Sequence, residues 1–221
     1  MNKGNLSQQA YKYIKHMILN LEIKPGDRIP EESIANRLGS SRTPIREALR
    51  KLENDGLIFL YPKCFAEVAH YDEDTIRHIG ELRLAQDILA AQLALYYGSN
   101  ADFSNLRQLA QKCENEARTG NIYNRIKLDM DFHLGIAQIS RNQILVKSQQ
   151  QLYLRIHLIQ VSKYTDIQNS LKQIQHHQEI IEALINGDSQ KVRKVICDHL
   201  KDFFNIPNSI IEQYDLSCLK K

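Results

Sequence analysis

The chain has 221 residues, 43% of them hydrophobic, with a formal charge of +3, a length and apolar content that suit two modest domains with real cores. No apolar run approaches the ~20 residues of a spanning helix, the first residues lack the apolar core of an export signal, and Cys64, Cys113, Cys197 and Cys218 show no CxxC spacing, so membrane, exported, disulfide-framed and thiolate-zinc classes are set aside and a cytoplasmic location is expected. The charge is uneven: residues 1–70 hold 11 Lys and Arg against 8 Asp and Glu, the remainder 18 against 18, and Pro25, Pro30, Pro44 and Pro62 also fall in the first segment.

In chain order, Tyr11, Ile14, Ile18 and Leu21 trace one helical stripe, which Lys24-Pro25-Gly26-Asp27 ends. A short second helix is expected from Glu31 to Leu38, stopped at Gly39 by a left-handed cap. A third opens with Ser41 as cap and Pro44 in its first turn, carries Ile45, Ala48, Leu49 and Leu52 on one face, and ends at Asn54-Asp55-Gly56. Leu57–Tyr61 and Phe65–Ala69 read as short strands joined at Pro62-Lys63-Cys64. From Asp72 onward only helices are expected, over 72–97, 102–119, 121–139, 142–165, 170–186 and 188–205. The expected class is therefore mainly α. Residues 1–70 are expected to form a winged helix-turn-helix, 72–206 an all-α helical bundle, and 207–221 a tail.

Two short helices around a glycine turn, followed by a hairpin, place the third helix where it can enter the major groove of double-stranded DNA. That helix carries Arg42, Thr43 and Arg46 opposite its apolar face, where guanidinium forks reach guanine edges or phosphate, while Arg50 and Lys51 lie further along and suit the phosphate backbone. A solvated helix face would have the same composition. The run Ser41-Arg42-Thr43-Pro44-Ile45-Arg46-Glu47-Ala48-Leu49-Arg50-Lys51-Leu52-Glu53-Asn54-Asp55-Gly56-Leu57-Ile58 resembles the signature of the GntR family of bacterial transcription regulators. The resemblance implies operator contacts from Ser41, Arg42, Thr43 and Arg46. Two departures stand out: Cys64-Phe65, with Lys63 just before, replaces the basic and glycine residues that relatives place at the wing tip, and Glu32 stands where some relatives have an arginine. Lys63 is retained as a DNA-contact candidate.

In the second domain, polar residues fall in phase with apolar stripes: Asp129 and His133 with Ile136 and Ala137, His177 with Ile180, Ile181 and Leu184, and His199 with Val192, Val195, Ile196 and Phe203. Such residues need partners in a core. One Asp and three His suit a first-row divalent ion with open positions, although core histidines are usually satisfied by a carbonyl or carboxylate. His176 is one residue out of phase, and His16, His70, His78 and His157 are read as surface or packing residues. The stretches Asp129-Met130-Asp131-Phe132-His133, His177 to Leu184 and Asp188 to His199 resemble the successive motifs of the FCD ligand-binding domain found in the FadR-like branch of GntR regulators. That resemblance implies a divalent metal on Asp129, His133, His177 and His199, zinc first, with nickel or manganese as alternatives.

Arg83, in the segment Glu81 to Asp87, resembles an arginine of the opening FCD helix that faces the ligand cavity, which implies a carboxylate effector; the alternative is an ion pair with Asp87, four residues on. The resulting expectation is a homodimeric, DNA-binding transcription regulator, a repressor, whose operator affinity a small organic acid controls. The alternatives are a metal-dependent hydrolase with a DNA-binding head, against which the lack of an HExxH helix weighs, and a metal-free dimeric regulator.

Overall fold

The computed structural model describes residues 3–62, 64–163 and 167–214, and among them are ten helices and one two-stranded sheet. The described residues form two compact units: those up to Tyr71 together with Leu154–Lys163, and those from Asp72 to Tyr153 together with those after Tyr164.

In the first unit α1 (Lys3–Leu19) packs against α3 (Arg42–Asn54), with α2 (Glu31–Arg37) before α3 and the strands β1 (Ile58–Tyr61) and β2 (Phe65–Val68) after it. The first helix begins well before Tyr11 because Ser7 and Ala10 continue the buried stripe of Ile14 and Ile18, and small residues carry little weight in an apolar count. Against that stripe α3 supplies Ile45, Ala48 and Leu52, all fully buried, and the Tyr11 hydroxyl donates to Asp55 Oδ2 at 2.6 Å. Gly39, at φ +56°, makes the left-handed turn between α2 and α3. The strands are antiparallel, pairing Ile58 with Val68 and Tyr61 with Phe65. Gly56 turns α3 into β1 at φ +76°, and the Arg155 side chain fills the space a Cβ would need.

The second unit contains α4 (Glu73–Tyr97), α5 (Asn100–Arg118), α6 (Ile122–Ile139), the first half of α7 (Gln143–Lys163), α8 (Ile167–Ile185), α9 (Ser189–Phe204) and α10 (Asn208–Tyr214). Side chains cap five of these helices: Asp72, Ser99, Asn121, Asn142 and Asp188 each accept a backbone N–H of the first turn. Helix α5 packs on α6 and α8, α4 on α6 and α9, and α8 on α9. Gly80 allows α4 and α9 to approach closely, since a Cβ there would strike the Cβ and ring of Phe204. No described helix is long and apolar enough to cross a membrane. Part of the 207–221 segment is the short helix α10; residues 215–221, and the expected end of α7 at 165, lie outside the described residues.

Candidate nucleic-acid interface and buried polar centre

At the start of α3, Ser41 occupies the N-cap position with extended backbone, yet its hydroxyl makes no capping bond. Ser41, Arg42, Thr43, Arg46 and Arg50 are all exposed, while Ile45, Ala48, Leu49 and Leu52 are buried, so one face of this helix packs and the other is presented to solvent. Two acids of α2 reach that polar face. Arg42 Nη2 lies 2.9 Å from Glu32 Oε2, and Arg46 Nε lies 3.6 Å from Glu31 Oε2. Both arginine side chains remain more than half exposed, so the pairs are weak and exchangeable with phosphate or a base edge. Lys63 lies outside the described residues. Beside it Tyr61 and Phe65 bring their rings to 4.6 Å, and the Arg28 guanidinium sits 3.9 Å from the Phe65 ring centroid. Arg28 is an exposed cation on the wing that no helical or strand period would single out.

In the second unit Asp129 and His133 of α6, His177 of α8 and His199 of α9 converge, each offering one ligand atom within 4.8 Å of the others, and all four are buried. His177 Nε2 lies 3.2 Å from Asp129 Oδ1, and His133 Nε2 lies 3.1 Å from His199 Nε2. The opposite nitrogens decide what that second contact means. His199 Nδ1 is 3.2 Å from the Gln173 carbonyl and His133 Nδ1 is 3.4 Å from Asp87 Oδ2. The Gln173 carbonyl calls for the His199 ring proton on Nδ1 and Asp87 draws the His133 proton to the same position, a tautomer pair that would turn both Nε2 lone pairs toward one another. Burial holds all three imidazoles below their ordinary pKa. Burial also pushes the Asp129 carboxyl up, but His177, Arg125 and His133 outweigh it and hold Asp129 well below the carboxylate range.

Three imidazoles and one carboxylate that converge in this way could hold a borderline divalent cation. Ligand bonds of ~2.0–2.2 Å imply donor separations between about 3 and 4 Å, so the close pairs fit as they stand and the widest needs a small contraction. His176 is half-buried and does not belong to the converging four.

Around this set lies a buried polar layer. Asp87 accepts from the Tyr153 hydroxyl at 3.0 Å, Gln149 Nε2 at 2.8 Å and Arg83 Nε at 3.2 Å. Arg125, 1% exposed, donates to Gln173 Oε1 at 3.0 Å. The ion pair of Arg83 with Asp87 thus forms, but in the core and through Nε alone. Arg83 is 0% exposed, stacks between the rings of Tyr153 and Phe204, and leaves Nη1 and Nη2 without hydrogen-bond partners. It is close enough to act electrostatically on Asp129, His133 and His199. Arg125 was missed from the sequence, although its place four residues before Asp129 and eight before His133 on one helical face could have revealed it. Gln149, Tyr153 and Gln173 carry no such signal, because neutral polar residues enter helix cores and surfaces alike.

Residues 6–63 match the model of the bacterial regulatory proteins of the gntR family, and residues 78–202 match the FCD domain. The chain is 26% identical over 201 residues to the uncharacterized HTH-type transcriptional regulator YdhC of Bacillus subtilis, covering 87% of this chain and 90% of that protein. It is 29% identical over 196 residues to the Uxu operon regulator of Haemophilus influenzae, covering 80% and 72% respectively. Among solved structures, E. coli McbR/YncC superposes with a TM-score of 0.77 at 23% identity over 95% of this chain and 98% of that one. A GntR regulator from Rhodococcus sp. RHA1 gives 0.79 at 16% identity over 93% and 97%. At these identities the two structures speak for the fold.

Proposed function

The chain belongs to the gntR family of bacterial regulatory proteins and carries an FCD domain, and from that premise we propose a homodimeric cytoplasmic repressor whose affinity for operator DNA is set by a small carboxylate bound beside a divalent metal. The chain is a regulator and not an enzyme, so the hydrolase alternative falls.

In this reading residues 1–70 bind DNA, 72–206 sense the effector and dimerise, and 207–221 form a tail. Ser41, Arg42, Thr43 and Arg46 meet base edges and phosphates, with Arg50 and Lys63 on the phosphate backbone; the first four are supported by the exposed polar face that opens α3.

The observation that carries the sensing reading is the contact between two imidazole lone pairs at 3.1 Å beside a buried guanidinium with two open nitrogens. The Gln173 carbonyl and the Asp87 carboxylate draw both ring protons to the far side, which favours an ion over a proton shared between those nitrogens. Asp129, His133, His177 and His199 would hold the ion, with zinc the first choice for this donor set and nickel or manganese next. When bound, a divalent ion supplies a Lewis-acidic pole for a carboxylate, and Arg83 supplies a bidentate grip. Because Arg83 is wholly shielded from solvent, an acid reaches it only when the helices around it part. Occupancy is thereby tied to helix arrangement, and a coupling of ~1–3 kcal/mol would be typical.

Dimerisation is supported by α4, where Leu82, Leu89 and Tyr96 recur at seven-residue spacing and are 50%, 43% and 81% exposed. An apolar seam of that period suits a second copy of the same helix. The test is a gel-shift titration against a selected palindromic site, with zinc and with or without added acids. Preference for the palindrome and its loss on adding one acid are expected. No preference over random DNA overturns the repressor reading, and an affinity that no acid changes overturns the sensing one.

A further inference from the structure

The buried charges of the second unit restrict which acid the centre can take. Among the described residues the formal charges in its core are Arg83, Asp87, Arg125 and Asp129, two positive and two negative, and the three histidines beside them must be neutral to act as metal ligands. The buried centre is therefore balanced without a guest. Adding the divalent ion leaves two positive charges in a space shielded from water, and uncompensated buried charge is costly. A monocarboxylate would cancel only half of that excess.

The open hydrogen-bond capacity is divided in the same way. Arg83 has Nη1 and Nη2 unpartnered and fully buried, the fork that matches one planar carboxylate. Four protein donors leave a divalent ion room for further oxygen ligands. Two separate acceptors of negative charge thus lie in one closed centre.

We infer that the effector is a small dicarboxylate that carries two negative charges, one carboxylate on the Arg83 fork and the other toward the metal-binding set. This rests on the sensing function proposed above, and the test separates the two. Full-length protein loaded with zinc, its content verified by elemental mass spectrometry, is titrated calorimetrically at pH 7.5 with acetate, propionate, malonate and succinate. At least one dicarboxylate binds about tenfold or more tighter than either monocarboxylate. Arg83→Lys keeps the charge but loses the fork, so all affinities fall while the dianion preference persists. Equal binding of mono- and dicarboxylates overturns the dianion inference and leaves the carboxylate sensor standing. Binding by none of the four acids to zinc-loaded protein overturns both, and failure to hold zinc removes the charge excess and overturns the inference at its root.

Discussion

Arg42 and Arg46 are exposed, yet each stands beside a carboxylate of α2. Reading DNA requires these pairs to exchange for phosphate or guanine contacts. Removing Arg46 in Arg46→Ala should cost about 1–3 kcal/mol of operator affinity, since a bidentate base contact is lost. Glu32 acts in the opposite sense, because its charge both occupies Arg42 and repels phosphate. Glu32→Gln should therefore raise affinity for random DNA roughly two- to fivefold at low salt, with the gain fading as salt screens it. Fluorescence anisotropy across a salt series reads both effects, and a loss of affinity in Glu32→Gln would mean that the acid positions Arg42 for binding. Asp87 is proposed as the corresponding positioning residue of the buried centre, its Oδ2 standing 3.4 Å from His133 Nδ1. Asp87→Asn should weaken zinc about 10–100-fold in a chelator competition while the four donors remain in place. Unchanged zinc affinity would show that the His133 tautomer does not depend on that carboxylate. The four donors could be listed from sequence because each sits in phase with an apolar stripe. Their support could not, because it arrives from Gln149, Tyr153 and Gln173 on other helices, where no spacing connects them to Asp129 or His133.

Helix boundaries in the second unit follow the sequence within a few residues because capping side chains and glycines mark them: Asp72, Ser99, Asn121 and Asp188 open helices, and Gly187 closes α8 at φ +68°. The start of α1 was less legible, since Ser7 and Ala10 bury a face that an apolar pattern does not reveal. Which helices touch was not legible at all, and Gly80 shows why. In sequence it is a helix-weakening glycine inside α4; in the fold it is a point of close approach between α4 and α9, with Phe204 packed over it. Gly80→Ala gains up to about 1 kcal/mol of helix propensity. It also drives a methyl group into the Cβ of Phe204, which is fixed to the backbone and cannot swing aside. Overpacking of this kind costs about 1–3 kcal/mol, so net destabilisation is expected in a urea melt. Because Phe204 also stacks on the Arg83 guanidinium, the same variant should bind acids more weakly than its loss of stability alone predicts. A neutral or stabilised Gly80→Ala would mean that α9 yields easily and that this contact does not set the α4 to α9 spacing.

The charge shift and the proline distribution foretold an N-terminal basic segment followed by long helices, and the compact units fall on either side of Tyr71, with residues 154–163 grouped with the first. That last grouping had no sequence signal, because α7 runs unbroken through Tyr153 and a continuous helix hides where its neighbours change. The division bears on how metal binding distributes its stabilisation. All four proposed ligands belong to the second unit, on α6, α8 and α9. A ligand that binds only the folded state adds RT ln(1 + [L]/Kd), about 2.7 kcal/mol at a hundredfold excess over Kd. That corresponds to roughly hundredfold slower exchange for amides that exchange only when the unit opens. Hydrogen exchange read by mass spectrometry should therefore show zinc slowing peptides within 122–139 and 173–204 by up to that factor. Peptides within 31–62, around the DNA-reading helix, should change far less. Chelator should reverse the effect, and His177→Ala should abolish it. Equal slowing in both sets of peptides would mean that the whole chain opens as one body, while no slowing anywhere in metal-saturated protein would place the ion outside the Asp129 cluster.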